Sequence, residues 1–423
     1  MKLNSKIYST LKQGHFLRNS ILFFKRGPVF NLTNKNFRYI LTQSIKRKNI
    51  NELNIDYSIE HTKKYIDKGI EWLINNQLEQ DDGGISGDIT FSFGRTILGG
   101  SFPEVTGYII PTLFDYASLF NNSIVREGAI RAANFELPFQ DENGAFPGGD
   151  VGNLTGPSIF NSAQIVHGLV RAYKETKNQK YIDACIKSCD WIVKMQEKDG
   201  SWKRHNYNNI KRTYDTKVAQ PLLETADVVG DNRYVESAKR NLKFVLLNQK
   251  KNGWFYNCDN SIERNDAPLM HLIGYTVQGL LVCYSFLKDE ELLESSICTL
   301  NQLMHKYEIS KKPLAGRYYS NWKAAVKSSC VTGDAQISLC WMDIFEITGD
   351  YAYLNSALKM NDFLKSILFN CSDKKVNGAL PQSYPVWGEY GPYKIVSWGT
   401  KYFIDALIQE YKIKTNILEG KYS

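Results

Sequence analysis

The sequence predicts an all-α protein, an (α/α)6 toroid of six helical hairpins with a basic N-terminal extension. Three observations predict it. The first is a recurring helix start: Lys177-Asn-Gln-Lys-Tyr-Ile-Asp-Ala-Cys185, Gly230-Asp-Asn-Arg-Tyr-Val-Glu-Ser-Ala238 and Gly349-Asp-Tyr-Ala-Tyr-Leu-Asn-Ser-Ala357. Each sets a small residue four positions after an aromatic, which is the buried stripe of an amphipathic helix. The second is a turn with Gln or Asn ahead of Gly, recurring every 53 to 63 residues in six copies. The third is an apolar segment between successive copies, each preceded by a long polar and aromatic loop. Twelve helices at this period close into a ring, which buries the end faces that an open solenoid leaves exposed.

In chain order, a first helix near 59–77 ends at Asn75-Asn-Gln77, before Gly83-Gly84. The next pair covers 104–120 and 123–138 and stops at Phe139-Gln-Asp-Glu-Asn-Gly144. Helices at 158–175 and 179–196 lead to Met195-Gln-Glu-Lys-Asp-Gly-Ser-Trp202, and those at 214–229 and 232–249 to Leu247-Asn-Gln-Lys-Lys-Asn-Gly-Trp254. Pro268 suits the start of a helix over 268–287. That helix is followed by 288–306 and a weaker turn, Lys312-Pro-Leu-Ala-Gly316. Helices at 329–347 and 350–369 precede Lys375-Val-Asn-Gly378, and 395–412 closes the ring. This divides the chain into an extension (1–55), the toroid (56–415) and a tail (416–423).

Composition agrees. With 43% hydrophobic and 23% charged residues the chain is too apolar to be disordered. It is also too polar to read as membrane-spanning. The net charge of +8 is not spread evenly, since residues 1–51 hold eleven Lys/Arg and no Asp/Glu. Those cations are Lys2, Lys6, Lys12, Arg18, Lys25, Arg26, Lys35, Arg38, Lys46, Arg47 and Lys48. Leu11, Phe16, Leu17, Ile21, Leu22, Phe23, Phe24, Phe30 and Phe37 lie among them, and Gly27-Pro28 breaks the segment. The expectation is an interfacial arm on anionic lipid or on a membrane-bound glycan synthase, against the plainer reading that its apolar side packs on the ring. Nucleic acid is not expected, because no basic face extends the arm into the body. Eight scattered Cys, without metal-ligand spacing, read as small buried hydrophobes in a reducing compartment. The expected location is the cytoplasm, peripheral at the inner face of the membrane.

Inner helices of such a ring aim their N-termini at the mouth of a central cavity, where free N–H groups and the helix dipole favour anions. Their starts carry Glu104/Thr106/Tyr108, Asn161/Gln164, Tyr214/Asp215/Lys217, His271/Tyr275, Thr332/Asp334/Gln336 and Trp398/Thr400/Lys401. Glu104, Tyr108, Asp215, His271, Tyr275 and Asp334 are the candidate catalytic residues. Capping or core roles compete at each of these positions. The loops supply Tyr214, Trp254, Tyr318, Tyr319, Trp322 and Trp387, with Trp398 beside them at a helix start. Arg317, Asn161, Gln164 and Lys401 complete the expected binding set. Aromatic faces cover the C–H side of a pyranose, while planar polar groups hold its hydroxyls. Gly83 to Gly100 carries six Gly but lacks the Gly-Lys-Ser/Thr ending of a phosphate loop. No cofactor or metal is predicted.

The Met195–Trp202 turn resembles those of the squalene–hopene cyclase and protein prenyltransferase β-subunit toroids. The whole layout, with Glu104-Val-Thr-Gly-Tyr108, Gly333-Asp-Ala-Gln336 and Ser397-Trp-Gly-Thr400, is similar to bacterial exopolysaccharide-biosynthesis proteins of the VpsJ-like type. That resemblance implies the toroid and a polysaccharide pathway without fixing a reaction. It also places the chain beside glycan-active α/α-barrel enzymes.

Three function classes follow. The first is a glycan enzyme working by acid/base chemistry. On a uronate, His271, Tyr275, Tyr108 or Tyr319 would move protons while Arg317 or Lys401 holds the carboxylate. In a hydrolase, two of Glu104, Asp215 and Asp334 would flank the bond. The second is a non-catalytic scaffold that binds a glycan or glycolipid for a membrane synthase. The third, isoprenoid chemistry, lacks the Asp-rich motif and the zinc ligands that the resemblance would require.

Overall fold

The computed structural model describes residues 31–45 and 58–421. Its helices are α1 (Lys35–Ile45), α2 (Ile59–Leu78), α3 (Pro103–Leu119), α4 (Ser123–Glu136), α5 (Ile159–Thr176), α6 (Gln179–Met195) and α7 (Thr216–Val229). They continue with α8 (Asn232–Leu247), α9 (Met270–Leu287), α10 (Glu290–Ser310), α11 (Val331–Thr348), α12 (Tyr351–Ile367) and α13 (Ser397–Leu418). All twelve expected ring helices are present, with ends shifted by a few residues.

Six inner helices, α3, α5, α7, α9, α11 and α13, each pack on the next, and α13 returns to α3. The outer helices α4, α6, α8, α10 and α12 each pair with the inner helix before them, whereas α2 pairs with α13. The chain is therefore a closed (α/α)6 toroid, and the expected contact between its first helix and last hairpin is made.

The two rings start differently, for a local reason. Outer helices begin at Ser58, Asn122, Asn178, Asp231, Asp289 and Asp350, whose side chains accept a first-turn N–H. Inner helices follow Phe102, Asp215, Leu269, Cys330 and Val396 with no side-chain cap; only α5 has one, Ser158.

The recurring Gln–Gly turn acts as a staple between repeats. Gln140 Nε2 donates to the Gly144 carbonyl (3.1 Å) and to Ala184 on the next outer helix (2.8 Å). Gln196 does the same with Gly200 and Ser237, and Gln249 with Gly253 and Ser295. Glycine is required at these turns because φ is positive and the next outer helix leaves no room for a Cβ. At Gly200 a Cβ would lie 2.1 Å from the Arg240 carbonyl. The last such turn meets the first helix: a Cβ on Gly378 would lie 2.2 Å from Lys68 O.

Two small sheets decorate the mouth. β1 (Asp88–Ser92) pairs antiparallel with β2 (Arg95–Leu98), with Ile89 opposite Leu98, and also with β5 (Ile395–Val396). β3 (Ser329–Cys330) pairs with β4 (Ser383–Tyr384). The glycine-rich stretch 83–100 is thus a hairpin and not a phosphate cradle.

The described part of the basic arm packs on this rim. Phe37 is fully buried against Phe91 and Tyr393, Asn31 and Asn34 bond the β1–β2 hairpin, and Ser44 accepts from Val386 N. For Phe37 the packing alternative holds, because the hairpin and the 384–394 loop leave an apolar slot that it fills. The arm's other apolar residues and most of its cations, Lys2 to Phe30 and Lys46 to Lys48, lie outside the described residues. All eight cysteines are free, and six of them are buried. Helix α9 is long and apolar enough, by composition, to cross a bilayer, yet here it is an inner-ring helix buried along most of its length.

Candidate active site

Side-chain direction on the inner helices builds the cavity. Residues at the second and sixth positions of a helix share one face. At the inner-helix starts this face carries Glu104 and Tyr108 on α3, His271 and Tyr275 on α9, and Trp398 and Tyr402 on α13. The first five of these, with Phe160 and Asn161 of α5, line a cavity of about 570 Å³ at the ring's centre. Loops close its sides: Gly148, Gly149 and Gly156 from one, His205 to Tyr207 from another, with Tyr214, Asn260 and Tyr390 beyond them.

The fourth position of the same helices faces elsewhere. Thr106 accepts the Ile85 N–H (2.9 Å), Ser162 that of Phe146 (2.8 Å) and Thr400 that of Leu380 (3.1 Å). Asp334 occupies the same place on α11, where its Oδ2 accepts from the Ser329 hydroxyl. It pins a turn and does not line the cavity.

Glu104 is the one carboxylate among the lining residues, and its side chain has no hydrogen-bond partner among the described residues. Burial pushes its carboxyl up to about 7. Tyr108, Tyr214, Tyr275 and Tyr390 are pushed above the ordinary phenol range, chiefly by burial and further by the nearby Glu104. At neutral pH they are donors and not bases, which removes Tyr108 and Tyr275 from the proton-abstracting role expected of them. Burial lowers His271 to about 4 despite its bond to Gln336 Oε1 (2.8 Å), so its imidazole is neutral and carries its proton on Nδ1. Trp398 Nε1 donates to the Tyr390 hydroxyl at 3.0 Å, which fixes both rings at the wall.

The other expected site residues are placed outside the lining. Asp215 is fully buried behind Asn206, which donates to it at 2.8 Å, and burial raises its carboxyl to about 8. Gln164 donates to the Lys217 carbonyl, joining two inner helices. Lys401 pairs with Asp405 at 2.6 Å behind Tyr108, its ammonium 4.1 Å from the Tyr402 ring centre. Arg317 binds Asp259 (2.7 Å) and Glu389 (3.0 Å). Trp254, Tyr318 and Trp322 are buried and clamp loops together, with Trp254 Nε1 on the Tyr318 carbonyl and Trp322 Nε1 on that of Asn252. Tyr319 and Trp387 are exposed outside the cavity. Among the described residues, no Lys or Arg lines the cavity and no second carboxylate stands across from Glu104.

The sequence reading missed Asn206, Asn209, Asn260 and the 148–157 loop as wall residues. A signal for the loop was present in Gly148, Gly149, Gly152 and Gly156, which permit close backbone approach. The Asn residues sit in irregular loops that no periodicity marks.

Comparison with known proteins agrees with this architecture. The pectic acid lyase family pattern matches residues 155–220, the segment that holds Asn161, Asn206 and Tyr214. No curated protein matches the chain in sequence. Among solved structures, an unsaturated glucuronyl hydrolase specific for heparin superposes with a TM-score of 0.68 at 14% identity, covering 85% of this chain and 99% of that one. The unsaturated glucuronyl hydrolase of Streptococcus agalactiae gives 0.62 at 12%, covering 88% and 95%. A possible member of the GH105 family from Salmonella enterica serovar Paratyphi A gives 0.63 at 13%, covering 84% and 95%. At these identities the likeness shows a shared α/α-toroid fold.

Proposed function

We propose that the chain is a glycan-cleaving enzyme in which Glu104 is the proton donor. The observation that carries this is the lone carboxyl of Glu104, unpaired in the cavity and half-protonated near neutral pH. A buried carboxylic acid at such a value delivers a proton to a leaving oxygen at the pH where most enzymes work. As the glycosidic C–O bond breaks, the oxygen of a water hydrogen-bonded to the neutral His271 bonds the anomeric carbon, and the proton that water sheds passes through solvent to restore the Glu104 carboxyl. The phenols of Tyr108, Tyr275 and Tyr390 donate to oxygens of the bound sugar, while Trp398 and Phe160 offer ring faces to its C–H side. The toroid neighbours named as glucuronyl hydrolases and the local pectic acid lyase match support glycan chemistry.

Hydrolysis is favoured over elimination or epimerisation. Those two reactions need a base at the sugar C5 and a cation on its carboxylate. Here Arg317 and Lys401 are held in ion pairs outside the wall. The test is turnover of a panel of oligosaccharides, scored by new reducing ends, with Glu104→Gln as control. Full activity in Glu104→Gln would overturn the assignment.

A second reading, a non-catalytic glycan-binding scaffold, is favoured by one observation: paired-carboxylate hydrolysis needs two acids, and among the described residues the wall has one. Binding without turnover across the panel would select it. The placing in polysaccharide biosynthesis rests on the sequence resemblance, and a cytoplasmic site of action goes with it. An anionic membrane contact now rests on the arm outside residues 31–45, and liposome sedimentation with and without residues 1–30 tests it.

A further inference from the structure

We infer that the sugar unit seated beside Glu104 is uncharged, a hexose or an acetamido sugar and not a uronate or a sulfated residue. The inference rests on the glycan reading above and names the substrate class of that same cavity. Its ground is the charge inventory of the wall. Among the described residues lining the cavity there is no Lys or Arg, and the one carboxyl is that of Glu104, with the imidazoles of His205 and His271 beside it.

Three cations on the elements that build the wall are committed elsewhere. Arg212 donates to the carbonyls of Tyr207, Asp259 and Asn260. Lys217 bonds Gln220 at 2.6 Å, and Lys401 pairs with Asp405. The start of α5 is also occupied: Ser158 caps its own helix and bonds Asn161 Oδ1, and Ile159 N–H goes to the His205 carbonyl. A carboxylate here would lose its hydration, gain no counter-ion and face Glu104 across a cavity of one or two sugar units.

The donors that remain suit hydroxyl and acetamido oxygens. Asn161 and Asn260 use their Oδ1 atoms on Ser158 and Tyr214, leaving both Nδ2 groups for a ligand. With them stand the phenols of Tyr108, Tyr275 and Tyr390. Dipolar donors of this kind hold neutral oxygens well but do not cancel a full charge.

The test is calorimetric binding of a matched pair of oligosaccharides that differ only in a terminal hexose against the corresponding hexuronate. It is run at about pH 8, where an acid of pKa near 7 is mostly ionised while the phenols and His271 are neutral. The neutral sugar is expected to bind at least tenfold tighter to the wild type. Glu104→Gln is expected to narrow that gap several-fold by strengthening the uronate alone. Equal or tighter binding of the uronate to the wild type overturns the inference and leaves the glycan reading standing. An unchanged gap in Glu104→Gln overturns the role given to Glu104 in selectivity. Binding of neither sugar removes the glycan reading, and this inference with it.

Discussion

The hydroxyl of Thr62, in the first helix of the ring, donates to Glu410 Oε1 in the last at 2.8 Å. Around that contact Lys365 and Lys414 each donate to Glu410 at 2.7 Å, and Asn361 bonds its other oxygen at 2.9 Å. The ring is thus clasped where its first and last helices meet, by a buried charge cluster.

Breaking that clasp is expected to be costly. Glu410→Gln leaves two buried ammonium groups short of their shared counter-ion, and the loss is expected to be about 3–5 kcal/mol in chemical denaturation. The two lysines hold the Glu410 carboxyl down at about 2, below its ordinary 4.5. Its contribution is therefore present above pH about 4.5 and fades as pH falls toward 2. A Glu410→Gln protein within about 1 kcal/mol of wild type would show that the clasp is dispensable.

Glu104 gives the opposite sign. Its raised value of about 7 means that the folded chain holds a proton which the unfolded chain releases near 4.5. Stability is expected to decline as pH rises between those values, and Glu104→Gln should flatten the profile. Activity should fall tenfold per pH unit above about 7 as the acid form is lost. A rate that stays constant through that range would assign proton delivery to another group.

Asp334 separates structure from chemistry. Asp334→Ala removes the acceptor for the Ser329 hydroxyl, at an expected cost of about 1–3 kcal/mol. Sugar affinity, measured on the folded protein, should stay within about twofold, because the side chain faces a turn. Loss of affinity at undiminished stability would return Asp334 to the site.

Gly156 offers a gain-of-bulk test. It lines the cavity, and a Cβ added there meets nothing within 4 Å. Gly156→Leu should therefore fold normally, shift the melting temperature by no more than about 2 °C and raise the KM for a glycan about tenfold or more. Unchanged KM would place the sugar away from the 148–157 loop.

Phe37 tests the arm. Its ring packs on Phe91 and Tyr393, at 5.7 and 5.3 Å between centroids, next to the loop that carries Tyr390. Phe37→Ala is expected to lower stability by about 3 kcal/mol. It should also weaken glycan binding by loosening Tyr390 and Trp398. If melting and binding both match wild type, α1 is an ornament on the rim.

The sequence by itself determined the helices and the ring. Helix starts such as Lys177–Cys185 and turns such as Met195–Trp202 are local codes: a 3.6-residue stripe, an Asn or Asp cap, a glycine with positive φ. Each repeat buries its apolar face only on a neighbour, so six of them dictate closure. Which acid faces the cavity was decided by tertiary structure alone. Glu104 and Asp334 both stand at inner-helix starts, and by residue type either served equally well. Glu104 is at the second position of its helix and Asp334 at the fourth, about 200° apart around the axis at 100° per residue. That rotation has a meaning only once the neighbouring helices fix which side of each is inside. The aromatic loops followed the same rule. Trp254 and Trp322 carry the same chemistry as Trp398, but their N–H groups found backbone carbonyls in adjoining loops, a pairing set by how the loops stack across the mouth and by nothing in their own sequence.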